Sequence, residues 1–262
     1  MYRKMLCLVV GLLFFLPILY SHGAELTGRE IMLKVEERPD GDSQRNLTKM
    51  TLINKRGKTR ERSVLMYSKD YGKDSKSIMY FQSPADVKGT GFLSWEYDDP
   101  SKDDDQWLYL PALKKSRRIS SSSKNDSFMG TDFTYDDMGD RNVDEDTHTL
   151  LREETVDGHA CWVIESKPKD KDYMYSKRVG WIRQDALVGI KVEFYDRRET
   201  LLKTLIVSDV KEQDGIWTPF KMEMENVQKN HKTIIEIEEV QYNIDLKDRL
   251  FRVSTLERGR LK

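Results

Sequence analysis

Five aspartates crowd one short stretch of this chain, Asp98 and Asp99 before Pro100 and then Asp103, Asp104 and Asp105. Clustered carboxylate oxygens are what a hard cation such as calcium requires. The stretch lacks the central glycine and closing glutamate of a known calcium-binding loop, so it reads better as a solvated hairpin tip. His148, His159 and His231 fall on separate strands or turns, without the short spacings that bring histidines onto one metal. No metal and no cofactor are expected. Neither a Gly-x-Ser-x-Gly elbow nor a Cys-x-x-Cys pair occurs. Catalysis therefore survives only as a hydrolase assembled from dispersed residues, such as an aspartate near Asp103 or a histidine. Cys161, beside Trp162 in an alternating run, reads as a small buried hydrophobe.

Two further groups of side chains could bind rather than react. Lys114, Lys115, Arg117 and Arg118 form the densest basic patch. They would either pair with phosphate or a carboxylate-bearing partner at the mouth of a pocket, or charge a strand edge against aggregation. Large soft side chains recur in period-two runs: Met79, Phe81, Phe92, Trp95, Trp107, Tyr109, Ile190, Val192, Phe194, Phe220, Met222 and Met224. Methionine adapts to irregular apolar partners, which suits a cavity for flexible chains. Taken alone, the same pattern is also that of an ordinary filled core.

The elements that must hold these residues are mostly strands. From Leu47 onward the apolar period is two; Phe220, Met222 and Met224, for example, alternate with Lys221, Glu223 and Glu225. Asp157-Gly158 and Asp214-Gly215 suit tight hairpin turns. Segments 55–58 and 196–199 look like further hairpin connections, and Gly89-Thr90-Gly91 like a turn before a strand over 92–97. About ten antiparallel strands follow, with turns every 8 to 12 residues or so. Twist accumulating over that many strands makes the sheet close, split, or leave a gap covered by helices. One helix is clear: Thr27 and Glu30 match a capping box, Leu26 and Ile31 a hydrophobic staple, and Pro39 ends the run.

Residues 1–23 read as an export signal. Arg3 and Lys4 precede the apolar run Met5 to Leu16, Pro17 opens a polar end, and Ser21 and Gly23 supply small residues for cleavage after Gly23. Met5 to Tyr20 is shorter than the roughly 18 residues of a spanning helix. A single domain over 24–262 is expected. The chain carries 44 Lys and Arg against 45 Asp and Glu, a formal charge of −1, and losing Arg3 and Lys4 makes it slightly more acidic. That balance argues against nucleic acid as a partner. Cys161 would be the one cysteine left, so no disulfide can form within the mature chain.

Three segments carry a family resemblance: Asp86-Val87-Lys88-Gly89-Thr90-Gly91-Phe92-Leu93, Trp107-Leu108-Tyr109-Leu110-Pro111-Ala112, and the stretch from Phe128 to Met138, FMGTDFTYDDM. With them the mature chain resembles the LolA-like outer membrane lipoprotein-sorting family over nearly its whole length. The resemblance implies a mainly β fold: a strongly curved antiparallel sheet, or unclosed β-barrel, with helices covering the concave face over a hydrophobic cavity. It implies a periplasmic, non-enzymatic carrier whose partners are an acylated lipoprotein or lipid cargo, and for some relatives an inner-membrane transporter of the RND type. The alternative is an interaction or sensor module like the related RseB-like domains, regulating a membrane protein. Phe128, Met129 and Phe133, with the basic patch, are expected at the rim or lid. An acyl chain exposes surface worth about 0.8 kcal/mol per methylene, so some 15 carbons would cost on the order of 12 kcal/mol unshielded in water.

Overall fold

The computed structural model describes residues 26–259, so the expected export signal lies outside the described residues. Helix α1 (Gly28–Glu36) starts as its sequence predicts. The Glu30 amide donates to Thr27 Oγ1 at 3.2 Å, and the Thr27 amide donates back to Glu30 Oε2 at 2.7 Å. Each bond satisfies an amide that the first turn cannot pair internally. Leu26 and Ile31 share one apolar cluster, as a staple requires.

Thirteen strands follow, more than the period-two pattern alone resolved. They are β1 (Ser43–Ile53), β2 (Thr59–Tyr71), β3 (Asp74–Ser83), β4 (Gly91–Glu96), β5 (Asp105–Leu110), β6 (Lys115–Arg118), β7 (Asp146–Val156), β8 (His159–Pro168), β9 (Lys177–Arg183), β10 (Gly189–Tyr195), β11 (Leu201–Gln213), β12 (Ile216–Asn226) and β13 (His231–Tyr242). Strands as brief as β6 are too short to display a period. At the β7–β8 and β11–β12 turns the Asp-Gly pairs both have positive φ, 50° and 84° for Asp157 and Gly158, 55° and 81° for Asp214 and Gly215. That is the turn whose twist matches the flanking strands.

All pairings are antiparallel, in the order β6-β5-β4-β3-β2-β1-β13-β12-β11-β10-β9-β8-β7. Sequence neighbours pair throughout except β6 and β7, and one pairing, β1 with β13, joins strands far apart in the chain. The edges β6 and β7 do not pair with each other, so the barrel stays unclosed. Curvature is strong. In the β6–β7 connection Tyr135 lies 5.9 Å from Phe92 of β4 and Asp137, two residues on, accepts from Lys203 of β11, though six strand spacings would separate β4 from β11 by roughly 29 Å in a flat sheet.

Segment 119–145, which joins β6 to β7, therefore runs from one sheet edge to the other through the concave side. We call it the strap. On the outer face, the C-terminal segment with helix α2 (Val253–Leu256) covers Ile78, Tyr80, Leu93 and Tyr109. It is pinned by Tyr80 Oη donating to the Thr255 carbonyl at 2.9 Å and Trp95 Nε1 donating to the Phe251 carbonyl at 2.9 Å. Strand β4 is consequently buried on both faces along Gly91–Ser94, where the sequence suggested simple alternation. Of the two α-helices among the described residues, α1 alone lies on the concave side, with Ile31 fully buried against Ile164 and Ile182. Gly28 permits this approach: a Cβ there would sit 2.8 Å from the backbone of His148 and Leu150 in β7.

Candidate functional site

The concave face is lined from both halves of the sheet. Met79, Phe81 and Phe92 from one half and Val192, Phe194, Met222 and Met224 from the other meet in a single cluster. Five of the residues expected beside them go elsewhere. Trp95, Trp107 and Tyr109 face outward onto the C-terminal segment, because Trp95 lies three positions from Phe92 and strand side chains alternate. Ile190 joins Cys161, Val163 and Trp181 on the outer face, since the β9–β10 register slips between Gly189 and Lys191 and a bulge turns Ile190 over. Phe220 stays half-buried under the Lys211 ammonium, 5.6 Å from its ring centre, outside the large cluster.

The centre of the concave face is occupied by the strap. Phe128 is fully buried, with its ring 5.1 Å from Phe92 and 6.2 Å from Phe81. Tyr135 packs edge-on at 5.5 Å, and Phe133 is buried in the same cluster. Met129, at φ 49°, is half-buried beside them. Phe128, Met129 and Phe133 thus sit deeper than a rim. Of the basic patch, Lys114, Lys115, Arg117 and Arg118 are all exposed along β6 and the turn before it, so they line the sheet edge.

Polar bonds fasten the strap to the sheet. Asp132 Oδ2 accepts from Thr233 Oγ1 and pairs with His231 Nδ1, both at 2.7 Å. Asp137 accepts from the Lys203 ammonium at 2.5 Å, from Tyr175 Oη at 3.0 Å and from the Thr134 amide at 2.7 Å. Arg62 donates to the Met129 carbonyl at 2.7 Å. Lys203 is 2% exposed, and burial lowers its pKa even though Asp137 opposes that shift. Burial, then Asp137, pushes the Tyr175 phenol well above its ordinary value, so it donates as a neutral group. At the strap's end, Asp146 pairs with Arg141 at 2.8 Å and with Arg178. Burial would raise this carboxyl, but the two guanidiniums hold it below the usual range. Buried ion pairs of this kind fix geometry more than they add stability.

Two hollows remain on either side of this plug. One, about 180 Å³, lies under α1, with Met32, Val35, Ile164, Ile182 and Val192 around its apolar body and Arg178 and His148 at its polar side. Burial lowers the His148 pKa, and its ring joins Ser166 Oγ across the β7–β8 pair at 2.8 Å and the Val143 carbonyl of the strap at 2.9 Å. The other, about 350 Å³, opens between the strap and β11–β13, with Phe133, Met174 and Leu202 opposite Lys203 and His231. The acidic stretch borders a recess of about 80 Å³. Asp99 Oδ1 accepts from both the Ser101 amide and its hydroxyl, as a hairpin tip does. Among the described residues no three Asp, Glu, His or Cys side chains stand where they could hold a metal ion.

Sequence reasoning missed Lys203, Asp137, Asp132, His231 and Thr233 as a set. One signal was present: Lys203 shares the parity of Leu205 and Val207, a lysine at an inward-facing position.

The described residues thus form an unclosed antiparallel barrel with a helix and a strap over its concave face. A protein-family model described as an uncharacterized protein matches residues 73–258. A DUF1329 family protein from Desulfovibrio piger is 37% identical over 87% of this chain and 97% of its own, with a TM-score of 0.84. A protein from Vibrio parahaemolyticus, described as an outer membrane lipoprotein-sorting protein domain, is 33% identical over 88% and 98%, with a TM-score of 0.83. A LolA superfamily protein from Nitrosomonas europaea shares the fold at 22% identity and a TM-score of 0.69, over 87% of this chain and 98% of that one. No protein of curated function matches. The chain belongs to the DUF1329 family, with the lipoprotein-sorting domain from Vibrio parahaemolyticus among its relatives, and it has the LolA-like fold.

Proposed function

We propose that this protein is a periplasmic carrier that shields the acyl chains of a lipoprotein or lipid on its concave face, for transfer toward the outer membrane, without covalent chemistry or cofactor. The mature chain, cleaved after Gly23, forms one domain over 24–262. The observation that carries the reading is the apolar hollow under α1, within a fold whose relatives include a lipoprotein-sorting domain. At about 180 Å³ it falls short of the roughly 300 Å³ at which ligand pockets begin, so loading requires movement. α1 is the part that moves. A small apolar cluster of Ile31 with the partly buried Leu26, Met32 and Val35, and an exposed Arg29–Asp144 pair, hold it, whereas buried charges lash the strap. A short helix held by few buried apolar contacts opens more readily than the sheet beneath it.

Organic extraction of the protein from its native host, followed by mass spectrometry, is expected to release stoichiometric acylated lipid. Val192→Glu, placing a charge in the hollow, should abolish that lipid while leaving the circular dichroism spectrum unchanged. Protein that is lipid-free as isolated and also fails to retain a triacylated peptide would end the carrier reading. Amino-terminal sequencing of the exported protein is expected to begin at Ala24.

A further inference from the structure

The β5–β6 turn combines the most exposed large hydrophobic side chain among the described residues with a local excess of cations. Leu113 is 64% exposed. It is held out by a tight turn in which its own amide donates to the Leu110 carbonyl at 3.0 Å and the Lys114 amide donates to the Pro111 carbonyl at 3.1 Å. Lys114, Lys115 and Arg117 follow, all exposed, and none makes an ion pair with a described residue. Pro111 packs beside Gly89, and a Cβ at Gly89 would lie 3.6 Å from the Gly259 carbonyl. The exposed Lys88 and Arg258, neighbours in sequence of those two glycines, therefore border the same tip. The same segments bring two carboxylates, Asp86 and Glu257, and Glu257 already accepts from Ser116 Oγ at 2.6 Å. The chain as a whole is close to neutral, so this excess is local.

We propose that this tip docks on an anionic phospholipid surface, with Leu113 entering the headgroup layer and the surrounding lysines and arginines facing the lipid phosphates. One aliphatic side chain ringed by cations fits that partner. A protein interface would need a broad, close-packed apolar centre with aromatic anchors, which the tip lacks. One shallow anchor plus basic residues gives weak, reversible and salt-sensitive adhesion, in keeping with a protein that visits a membrane. The inference concerns the surface alone and stands whether or not the concave face holds lipid.

Co-sedimentation of the full chain with vesicles tests it, comparing phosphatidylcholine alone with a mixture containing phosphatidylglycerol. Wild type and variants share the same N-terminal residues, so any adhesion from that segment is common to all. Adhesion is expected on the mixed vesicles at low salt and to fall at high salt. It should weaken about fivefold for each lysine neutralised in Lys114→Gln and Lys115→Gln, and several-fold for Leu113→Asp at unchanged circular dichroism. Equal binding to neutral vesicles, or variants that sediment like wild type, would overturn the proposal. So would variants that keep vesicle binding but lose a stoichiometric acidic protein partner, because the tip would then be a protein dock.

Discussion

Lys203 and Asp137 decide where the strap lies, and their pairing is testable one residue at a time. Lys203→Met leaves the Asp137 carboxylate buried without its cation, at a cost of about 3 to 5 kcal/mol in urea-induced unfolding. Adding Asp137→Asn should recover part of that loss, so the double variant costs less than the two singles together. Strict additivity would show that the two groups are not coupled. Glu96 gives a pH signature. Burial first, then the neighbouring Asp140, raises its carboxyl from 4.5 to about 8. Between those values the unfolded chain has released the proton and the folded chain keeps it, so stability falls as pH rises through that window. Glu96→Gln should flatten a slope of at most about 1.4 kcal/mol per pH unit, measured by urea unfolding at several pH values. At this scale the sequence was partly legible. Met79, Phe81 and Phe92 sit on the concave face because alternation reports a face. Alternation says nothing of a second layer, so the C-terminal cover that draws Trp95, Trp107 and Tyr109 outward stayed hidden. Pairs such as Asp132 with Thr233 join residues 101 positions apart, a separation that local pattern cannot see.

Among the elements, α1 was the most legible, since its cap, its staple and its stop are all local chemistry. What it rests on was not. Gly28→Val would drive a branched side chain into the β7 backbone, where a Cβ alone already comes within 2.8 Å. The variant should lift α1 from the sheet while sparing the thirteen strands. Hydrogen exchange is the measurement: amides of 31–36 should lose protection and those of β1 and β13 keep theirs. Loss across the whole sheet would mean that α1 is part of the cooperative core and not a lid. Turns were equally readable where Asp-Gly stated them, whereas the bulge at Ile190 arises from a register slip with β9 that no residue type announces. The strap defeats periodicity altogether, being built of short 3₁₀ turns; its composition marked it as distinctive but not as an interior plug.

At the scale of the molecule, strands pair in chain order within two runs, β1 to β6 and β7 to β13, which join along one line where β1 meets β13 and Arg45 reaches Glu239 across 194 positions. Short-range pairing made a meander legible, and twist over many strands made curvature legible. The ordering of the two halves about that line was not, because it depends on which ends find each other. The line also governs timing. The first strand must wait with one flank bare until nearly the last residues have been made, so no early piece of the chain can fold to completion while the rest is still being synthesised. Such a polypeptide stays open to unfolding from one side until β13 has been made and the two runs of strands close on each other.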